Sequence, residues 1–229
     1  METSALIESA RAGDLVKLQD LVRQCTTDVD LGESLLWAAL GGHLQVVRFL
    51  VEQCAVDVAS TTEDGVTALM WAASSGEVAI VRYLAEHGGD VNTRSKNGYT
   101  AFMVAAQFGY TDVARYLAEQ CDVDVHATNE NGSSALLLAA ANGHIESARY
   151  LVEQCGLNVN TQNKNGYTAL MGATQKNHLE MVRYLAEQGG ADVNVKNENG
   201  DTALLLAVQN DRIEILKAEN LSSSGILSS

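Results

Sequence analysis

Apolar residues recur along the chain at the spacing of short amphipathic helices, and the stretch from Thr100 to Leu117 illustrates the pattern. Thr100 offers a hydroxyl that can cap a helix, and apolar residues dominate from there to Ala106. Gly109 ends this helix, because glycine tolerates the positive φ of a helix terminus. Thr111 then begins a second helix, whose apolar residues again fall at helical spacing: Val113, Ala114, Tyr116 and Leu117. The pattern predicts two short helices joined by a tight turn.

A polar excursion follows each pair of predicted helices. After the helix that ends near Gln120, the chain runs through Val123-Asp-Val125 to the dipeptide Asn131-Gly132. Asn-Gly favours a tight turn, so the segment is expected to extend outwards and then double back. Gly132 is expected to have a positive φ in that turn.

The same arrangement repeats along the chain with a fixed period. The motif Gly-x-Thr/Ser-Ala-Leu/Phe recurs at spacings of 33, 34, 34 and 34 residues, beginning at Gly65, Gly98, Gly132, Gly166 and Gly200. Pairs of alanines such as Ala72-Ala73 place small side chains where two helices must approach closely. A single helix pair cannot bury its apolar face alone, so neighbouring repeats must stack.

These motifs resemble those of the ankyrin-repeat family. The resemblance is carried by Gly65-Val-Thr-Ala-Leu-Met-Trp-Ala-Ala73, by Gly89-Asp-Val-Asn92 and by the Gly-His pairs Gly42-His43 and Gly143-His144. Alanine stands where the family has proline, at Ala68 for example, but the capping hydroxyl is mostly kept. The resemblance implies an all-α solenoid of stacked helix-turn-helix repeats with β-turn or hairpin loops, whose concave face binds a partner.

The period divides the chain into about seven repeats, of which the first and last are atypical caps. The predicted boundaries are an N-terminal capping repeat at 1–28, a degenerate repeat at 29–61, full repeats at 62–94, 95–128, 129–162 and 163–196, a C-terminal capping repeat at 197–221 and a flexible tail at 222–229.

Composition and charge exclude several classes of partner. The chain has 15 basic and 29 acidic residues and a net charge of −14, whereas a duplex nucleic-acid binder needs a basic face. The same charge disfavours an anionic membrane surface. The longest apolar run is the seven residues Ala135–Ala141, too short to span a bilayer. The N-terminal sequence has no basic region followed by an apolar core, so an intracellular location, cytoplasmic or nuclear, is expected.

Cysteine and histidine positions do not point to catalysis, a cofactor or a metal site. The four cysteines, Cys25, Cys54, Cys121 and Cys155, lack metal-site spacing and are expected to be free thiols. His43, His144 and His178 share one position of the repeat, which favours a scaffold role over a catalytic one. No phosphate-binding glycine loop or strained nucleophile turn occurs either. The sequence therefore predicts a protein without enzymatic activity or cofactor.

Two periodic stripes are assigned to the scaffold. One is formed by arginines that each have a glutamate four residues later, from Arg48 and Glu52 to Arg183 and Glu187, which predicts ion pairs along the second helices. The other is formed by tyrosines that are expected to pack between repeats: Tyr83, Tyr116, Tyr150 and Tyr184.

Positions that vary while the repeat frame stays constant are the candidates for binding. They lie at the predicted turn tips and along the inner side of the first helices, where the family resemblance places the partner. Aromatic residues at such places have no core to fill, so they favour recognition over surface drift. The candidate partner-binding residues are Tyr99, Phe108, Tyr167, Lys96, Lys164, Asn97, Gln107, Asn142, Gln175 and Lys176.

The function predicted from these features is non-catalytic protein–protein recognition by a monomer. The partner is expected to present an extended or loop segment with acidic and apolar residues. An alternative is a substrate-docking adaptor subunit, or a fragment of a larger protein, with the enzyme activity elsewhere. A small-molecule or enzyme function is disfavoured, because it needs a deep pocket that stacked repeats do not naturally supply.

Overall fold

The computed structural model describes residues 2–25, 31–212 and 215, and these residues form short helices joined by turns. The helices are α1 (Glu2–Ala12), α2 (Leu15–Gln24), α3 (Gly32–Leu40), α4 (Leu44–Glu52), α5 (Ala68–Ser75), α6 (Val78–Glu86), α7 (Ala101–Phe108), α8 (Thr111–Gln120), α9 (Ala135–Ala141), α10 (Ile145–Glu153), α11 (Ala169–Gln175), α12 (Leu179–Arg183), which continues as a π-helical turn over Tyr184–Gln188, and α13 (Ala203–Gln209). No β-strand occurs within these ranges, only isolated bridges between Thr61 and Thr67 and between Thr128 and Ser134. The predicted all-α class is confirmed.

The helices alternate as first and second members of pairs, as the sequence pattern predicts. Residues 2–25 and 31–188 hold six such pairs, and α13 is a further first helix. The total of about seven repeats and their boundaries remain predictions. The boundary at residues 28 and 29, residues 216–221 of the predicted C-terminal cap and the predicted tail at 222–229 lie outside the described residues.

Two compact units divide the chain, and each contains its own stack of helices. The N-terminal unit comprises Met1–Ala105 with Asp112–Val123, and the C-terminal unit comprises Ala106–Thr111 with Asp124–Ser229. In the N-terminal unit α3 packs against both α1 and α5, while α4 contacts α2 and α6. In the C-terminal unit α11 packs against both α9 and α13. First helices therefore stack on first helices, which buries the apolar face that a single repeat would leave exposed.

Small residues allow the stacked first helices to approach closely. Ala72 and Ala73 on α5 have no exposed surface. On α11, a Cβ added at Gly172 would lie 3.3 Å from the Cβ of Ala141. The complete burial of Ala72 and Ala73 agrees with the predicted role of small side chains where the first helices meet.

Hydroxyl caps begin the first helices where the sequence predicts them. The Thr100 hydroxyl accepts a hydrogen bond from the backbone N–H of Met103 at 3.3 Å. The same contact, at 3.2–3.3 Å, is made by Thr67, Ser134, Thr168 and Thr202. At the other end of α7, Gly109 has a φ of 78°, as predicted for its left-handed position.

Histidine side chains connect successive repeats inside each unit. In the N-terminal unit, His43 donates through Nε2 to the carbonyl of Arg11 at 2.9 Å. In the C-terminal unit, His178 donates in the same way to the carbonyl of Ala141 at 3.1 Å. Because each imidazole satisfies a carbonyl at the end of the preceding first helix, the geometry agrees with the scaffold role predicted for these histidines.

Arginine, tyrosine and glutamate form a second link between repeats, on the second helices. In the C-terminal unit the Arg149 guanidinium lies 4.3 Å from the centre of the Tyr184 ring. The Tyr184 hydroxyl donates to Glu153 at 3.3 Å, and Arg149 pairs with that same glutamate at 3.5 Å. The N-terminal unit repeats this arrangement with Arg48, Tyr83 and Glu52. The tyrosines thus pack between repeats, as predicted.

Two predicted ion pairs in this stripe are wrong, because Arg82 stacks on Tyr116 without an ion pair to Glu86 among the described residues, and the pair of Arg183 with Glu187 does not form. Arg183 pairs with Glu180 at 3.1 Å instead of with Glu187. The reason is the π-helical turn that begins at Tyr184, in which Gly189 donates to the carbonyl five residues earlier. A wider turn removes the four-residue alignment that the predicted pair requires.

A left-handed alanine offers a test of backbone strain. Ala55 has a φ of 53° at the repeat position held by Gly156 and Gly190. Ala55→Gly should raise the free energy of unfolding by about 0.5–1 kcal/mol, because relief of strain exceeds the added entropy of the unfolded chain. Gly156→Ala should lower it by a similar amount, since a Cβ there contacts nothing within 4 Å and only φ is affected. Urea unfolding of both variants measures the effect, and a less stable Ala55→Gly protein would contradict it.

Tyr184 makes stability depend on alkaline pH. Burial, together with the charge and hydrogen bond of Glu153, raises the pKa of Tyr184 to about 12, against about 10 for the unfolded chain. The unfolded state therefore loses its proton first, so this contribution to stability is present below pH 10 and is lost as the pH rises through 12. Tyr184→Phe should lose less stability than the parent between pH 9 and pH 11 in urea unfolding.

The matched control for this pH experiment is Tyr110→Phe, at an exposed tyrosine. It should show the same loss of stability between pH 9 and pH 11 as the parent protein. Equal losses in the Tyr184→Phe variant and the parent would show that this tyrosine is not responsible.

Candidate functional site

Five hairpin loops, called the turn tips here, stand between a second helix and the next first helix. They comprise residues 62–66, 95–99, 129–133, 163–167 and 197–201. In each tip the backbone N–H of the first residue donates to the carbonyl of the fifth, as Asn163 does to Tyr167 at 2.9 Å. The side chain of the first residue accepts the N–H of the fifth in return, at 2.9 Å for the same pair. Gly132 has the positive φ, 75°, that the Asn-Gly turn predicts.

Neighbouring tips within a unit are joined through their backbones. In the N-terminal unit the Lys96 N–H donates to the Asp64 carbonyl at 2.8 Å. In the C-terminal unit the Lys164 N–H donates to Asn131 at 2.9 Å, and the Glu198 N–H donates to Asn165 at 3.1 Å. The backbone of each tip is therefore bonded to at least one neighbouring tip, and that of the tip at 163–167 is bonded on both sides. The side chains at the tips project from this frame.

The predicted lysine and tyrosine candidates occupy equivalent tips in different units. Lys96, Asn97 and Tyr99 belong to the tip at 95–99 in the N-terminal unit, and Lys164 and Tyr167 belong to the tip at 163–167 in the C-terminal unit. Both lysines are exposed, whereas both tyrosines are half-buried. Each tip thus combines a cation and an aromatic side chain within five residues.

The remaining predicted candidates lie in the C-terminal unit, at the ends of first helices. Phe108 is the last residue of α7 and is 50% exposed, next to the half-buried Gln107. Gln175 and Lys176 are exposed at the end of α11. Asn142 differs from them, because its amide donates to the Leu138 carbonyl at 2.8 Å and so helps to close α9.

A groove that sequence reasoning missed lies in the N-terminal unit, between the first helices α3 and α5 and the loop that precedes α5. It has a volume of about 610 Å³. Its lining combines two tryptophans, three acidic residues and three hydroxyl side chains with Gly32 and Leu36: Trp37, Trp71, Glu33, Glu63, Asp64, Ser60, Thr61 and Thr62. We call it the tryptophan groove.

The two indoles of the tryptophan groove are stacked. The ring centroids of Trp37 and Trp71 are 6.2 Å apart and the ring planes are inclined by 24°. Trp37 donates through Nε1 to Glu33 at 3.3 Å, and the Arg11 guanidinium lies 4.9 Å from the centre of the Trp37 ring. The Nε1 of Trp71 is buried, yet none of the described residues accepts a hydrogen bond from it. Such a donor costs stability, about 1–3 kcal/mol.

Comparison with known protein families accounts for the helix pairs, caps and turn tips together. A family model for ankyrin repeats, in three copies, matches residues 6–95, 88–163 and 136–218. The chain belongs to the ankyrin-repeat family. Ankyrin repeats generally serve as protein–protein interaction modules and are typically non-catalytic. Comparison with curated proteins found no match.

The ankyrin repeat also provides the register that could have revealed the groove. Trp37 and Trp71 are the only tryptophans of the chain and occupy the same position of consecutive first helices. In later ankyrin repeats the corresponding residue is aliphatic or is glycine: Val104, Leu138, Gly172 and Leu206. Two tryptophans at a position where the other repeats have smaller residues could have indicated a binding surface. Because the position is apolar in most repeats, however, sequence analysis assigns it to the core.

The described part of the ankyrin repeats has few features of other site types. Residues 2–25, 31–212 and 215 contain no group of three or more His, Cys, Asp or Glu side chains that could hold a metal ion. Their helices are also too short or too polar to cross a membrane. The four cysteines are half-buried, and none of them forms a disulfide with another described residue.

The joined tips can be tested at two glycines of similar φ. Gly166 and Gly200 have φ values of 75° and 82°, but a Cβ at Gly166 would lie 2.8 Å from the backbone of Asn197, whereas one at Gly200 would meet nothing within 4 Å. Gly166→Ala should therefore lower the free energy of unfolding by about 1–3 kcal/mol more than Gly200→Ala, since only the first adds overpacking to φ strain. Urea unfolding compares them, and equal losses would show that the tips do not approach closely.

Proposed function

We propose that this protein is a non-catalytic interaction module that holds an extended or looped segment of a partner protein at its turn tips and first-helix ends. The observation that carries the proposal is the backbone pairing of the tips. Because Lys96 N–H is bonded to Asp64, and Lys164 N–H to Asn131, the tip backbone needs no ordering when a partner arrives. Membership of the ankyrin-repeat family supports the general role.

Preorganisation is the mechanism of this proposed binding. Association normally costs about 0.5–1.5 kcal/mol for each flexible side chain that becomes fixed, and more when a loop must be ordered as well. Because the tip backbones are already hydrogen-bonded to one another, only the tip side chains lose conformational entropy on binding. Tyr99 and Tyr167 are half-buried and have only two side-chain torsions each, so fixing them costs little conformational entropy.

The side chains at the tips indicate the chemistry of the partner segment. Lys96 beside Tyr99 offers a cation and an aromatic face in the N-terminal unit, and Lys164 beside Tyr167 offers the same pair in the C-terminal unit. We therefore assign acidic and apolar residues to the segments that contact them. Each tip is proposed as a contact in its own right, with Asn97 adding polar contacts in the first unit.

In the C-terminal unit the proposed contact extends over the helix ends. The exposed ring of Phe108 supplies apolar area at the end of α7, next to the polar Gln107, and Gln175 and Lys176 supply polar groups at the end of α11. Asn142 contributes less than the others, since its amide is already used to close α9.

The net charge of −14 supports the proposal that the partner is a protein and not a nucleic acid or a membrane. A strongly acidic protein is repelled by nucleic acid and by anionic membranes, so the partner is another protein. We further propose that the chain acts as an intracellular monomer.

Alanine substitutions at the tips test the function. The partner is first isolated by affinity purification and mass spectrometry, and its affinity is then measured by calorimetry. Tyr99→Ala and Tyr167→Ala should each weaken binding by about 1–2 kcal/mol, roughly 5- to 30-fold, because buried tyrosines dominate such interfaces. Circular dichroism and the melting temperature should stay unchanged.

Arg115→Ala is the matched control, because Arg115 lies on the second helix α8 and pairs there with Glu119 at 3.5 Å. It should leave the affinity nearly unchanged. If Arg115→Ala weakens binding and the tyrosine variants do not, the partner uses the second-helix face and the proposed contacts are wrong.

A further inference from the structure

The tryptophan groove combines aromatic surface with an excess of negative charge. Among its ten lining residues three are acidic and none is basic. Within the described residues, Arg11 over Trp37 is the one cation that stacks on an indole of the groove, so acidic groups still outnumber basic ones three to one when it is counted. Glu33, Glu63 and Asp64 are all exposed, so their carboxylates are accessible to an incoming cation.

We propose that the tryptophan groove binds an arginine-bearing extended segment of a partner protein. The proposal rests on the proposed protein-binding function but concerns residues of the second and third repeats that are separate from the turn-tip contacts of Tyr99 and Tyr167. A guanidinium is planar, so it can stack on an indole while it pairs with carboxylates through its edge. The groove presents both kinds of group around one volume of about 610 Å³.

The protein itself shows that this chemistry suits its aromatic surfaces. Arginine lies over an aromatic ring at 4.9 Å for Arg11 on Trp37, at 4.8 Å for Arg82 on Tyr116 and at 4.3 Å for Arg149 on Tyr184. A glutamate completes the last of these stacks, since Glu153 pairs with Arg149 at 3.5 Å. The groove has the same kinds of group, with Glu33 hydrogen-bonded to Trp37 and Arg11 already over that ring, so the partner's guanidinium would be a second cation.

Trp71 supports a binding role rather than a purely structural one. Its ring stacks on Trp37, but its Nε1 is buried without an acceptor among the described residues. A smaller apolar side chain, such as Val104 has in the next repeat, would avoid that cost. The indole is therefore better explained by the surface it gives to the groove than by what it adds to the fold.

The segment that fits is extended and carries arginine among small residues. The volume falls within the range of about 300–1,000 Å³ that accommodates a ligand of a few residues. The hydroxyls of Ser60 and Thr61 line the loop side of the groove and can hydrogen-bond to peptide groups.

Tryptophan fluorescence gives a direct test, because both tryptophans of the chain line the groove. The 229-residue chain is titrated with an acetylated, amidated peptide of the sequence Gly-Ser-Arg-Gly-Arg-Ser-Gly. Saturable quenching or a shift of the emission maximum is expected. The same peptide with citrulline or glutamate in place of arginine should produce neither. No change up to about 1 mM arginine peptide, the limit of weak binding, would overturn the proposal.

Matched charge variants distinguish binding at the groove from general electrostatic attraction between the basic peptide and the acidic protein. The groove variant carries Glu33→Gln, Glu63→Gln and Asp64→Asn, and the control carries Glu130→Gln, Glu146→Gln and Glu198→Gln at exposed sites of the C-terminal unit. Both remove three charges, so non-specific attraction falls equally. The groove variant should raise Kd about tenfold or more and the control less than about twofold. Equal effects would overturn the proposal, and circular dichroism verifies that both variants fold.

A third variant distinguishes this proposal from the proposed function. The Tyr99→Ala, Tyr167→Ala double variant should bind the arginine peptide with unchanged Kd. If the peptide fails to bind while the tyrosine variants still lose the natural partner, the groove proposal is wrong and the turn-tip function stands. If the peptide binds but the tyrosine variants keep the partner, the turn-tip contacts are wrong and the groove is supported.

Discussion

Packing of one first helix against the next is the interaction on which the rest of each unit depends. A single helix pair has too little apolar surface to be stable alone, so α3 must be covered by α1 and α5, and α11 by α9 and α13. Small residues such as Ala72 and Ala73 set the distance between these helices. Because that distance is short, the Lys96 N–H reaches the Asp64 carbonyl at 2.8 Å. The tip connections follow from the helix packing.

The second helices are joined by chemistry of a different kind. Here an arginine stacks on the tyrosine of the next repeat, and a glutamate both pairs with the arginine and accepts the tyrosine hydroxyl, as in Arg149, Tyr184 and Glu153. Each contact is modest, about 0.5–1 kcal/mol for an exposed cation over a ring. The arrangement nevertheless buries the tyrosines and raises the pKa of Tyr184 to about 12. One side of each repeat is thus held by apolar contact and the other by partly charged contacts.

Fold and binding use different positions of the same repeat, which allows one to vary without the other. The hydroxyl caps and the positive-φ glycines recur in most repeats because helix and turn geometry favour them, and histidines bridge successive repeats at some of them. Helix and turn geometry do not restrict the exposed side chains at the tips and on the first helices. The fifth tip position is therefore Tyr99 or Tyr167 in two repeats and Ser133 or Asp201 in two others. Trp37 and Trp71 occupy another variable position of the repeat, in the N-terminal unit. The buried Nε1 of Trp71, which has no acceptor among the described residues, lowers the stability of the fold.

The sequence alone determined the repeat period and the all-helical class, through the 33- or 34-residue spacing of its motifs and the helical spacing of its apolar residues. It determined the Thr100 cap and the positive φ of Gly109 and Gly132 through residues within one turn of the chain. It also determined that Lys96 and Tyr99 share a tip, since they are three residues apart. Tertiary structure decided which side chains meet across repeats. Arg183 pairs with Glu180 because a π-helical turn displaces Glu187. Packing of the repeats also places Trp37 and Trp71 beside the loop at 60–64, which together form the tryptophan groove. Hydrophobic periodicity shows which face of a helix is buried, but it does not encode which distant side chains that packing brings within reach.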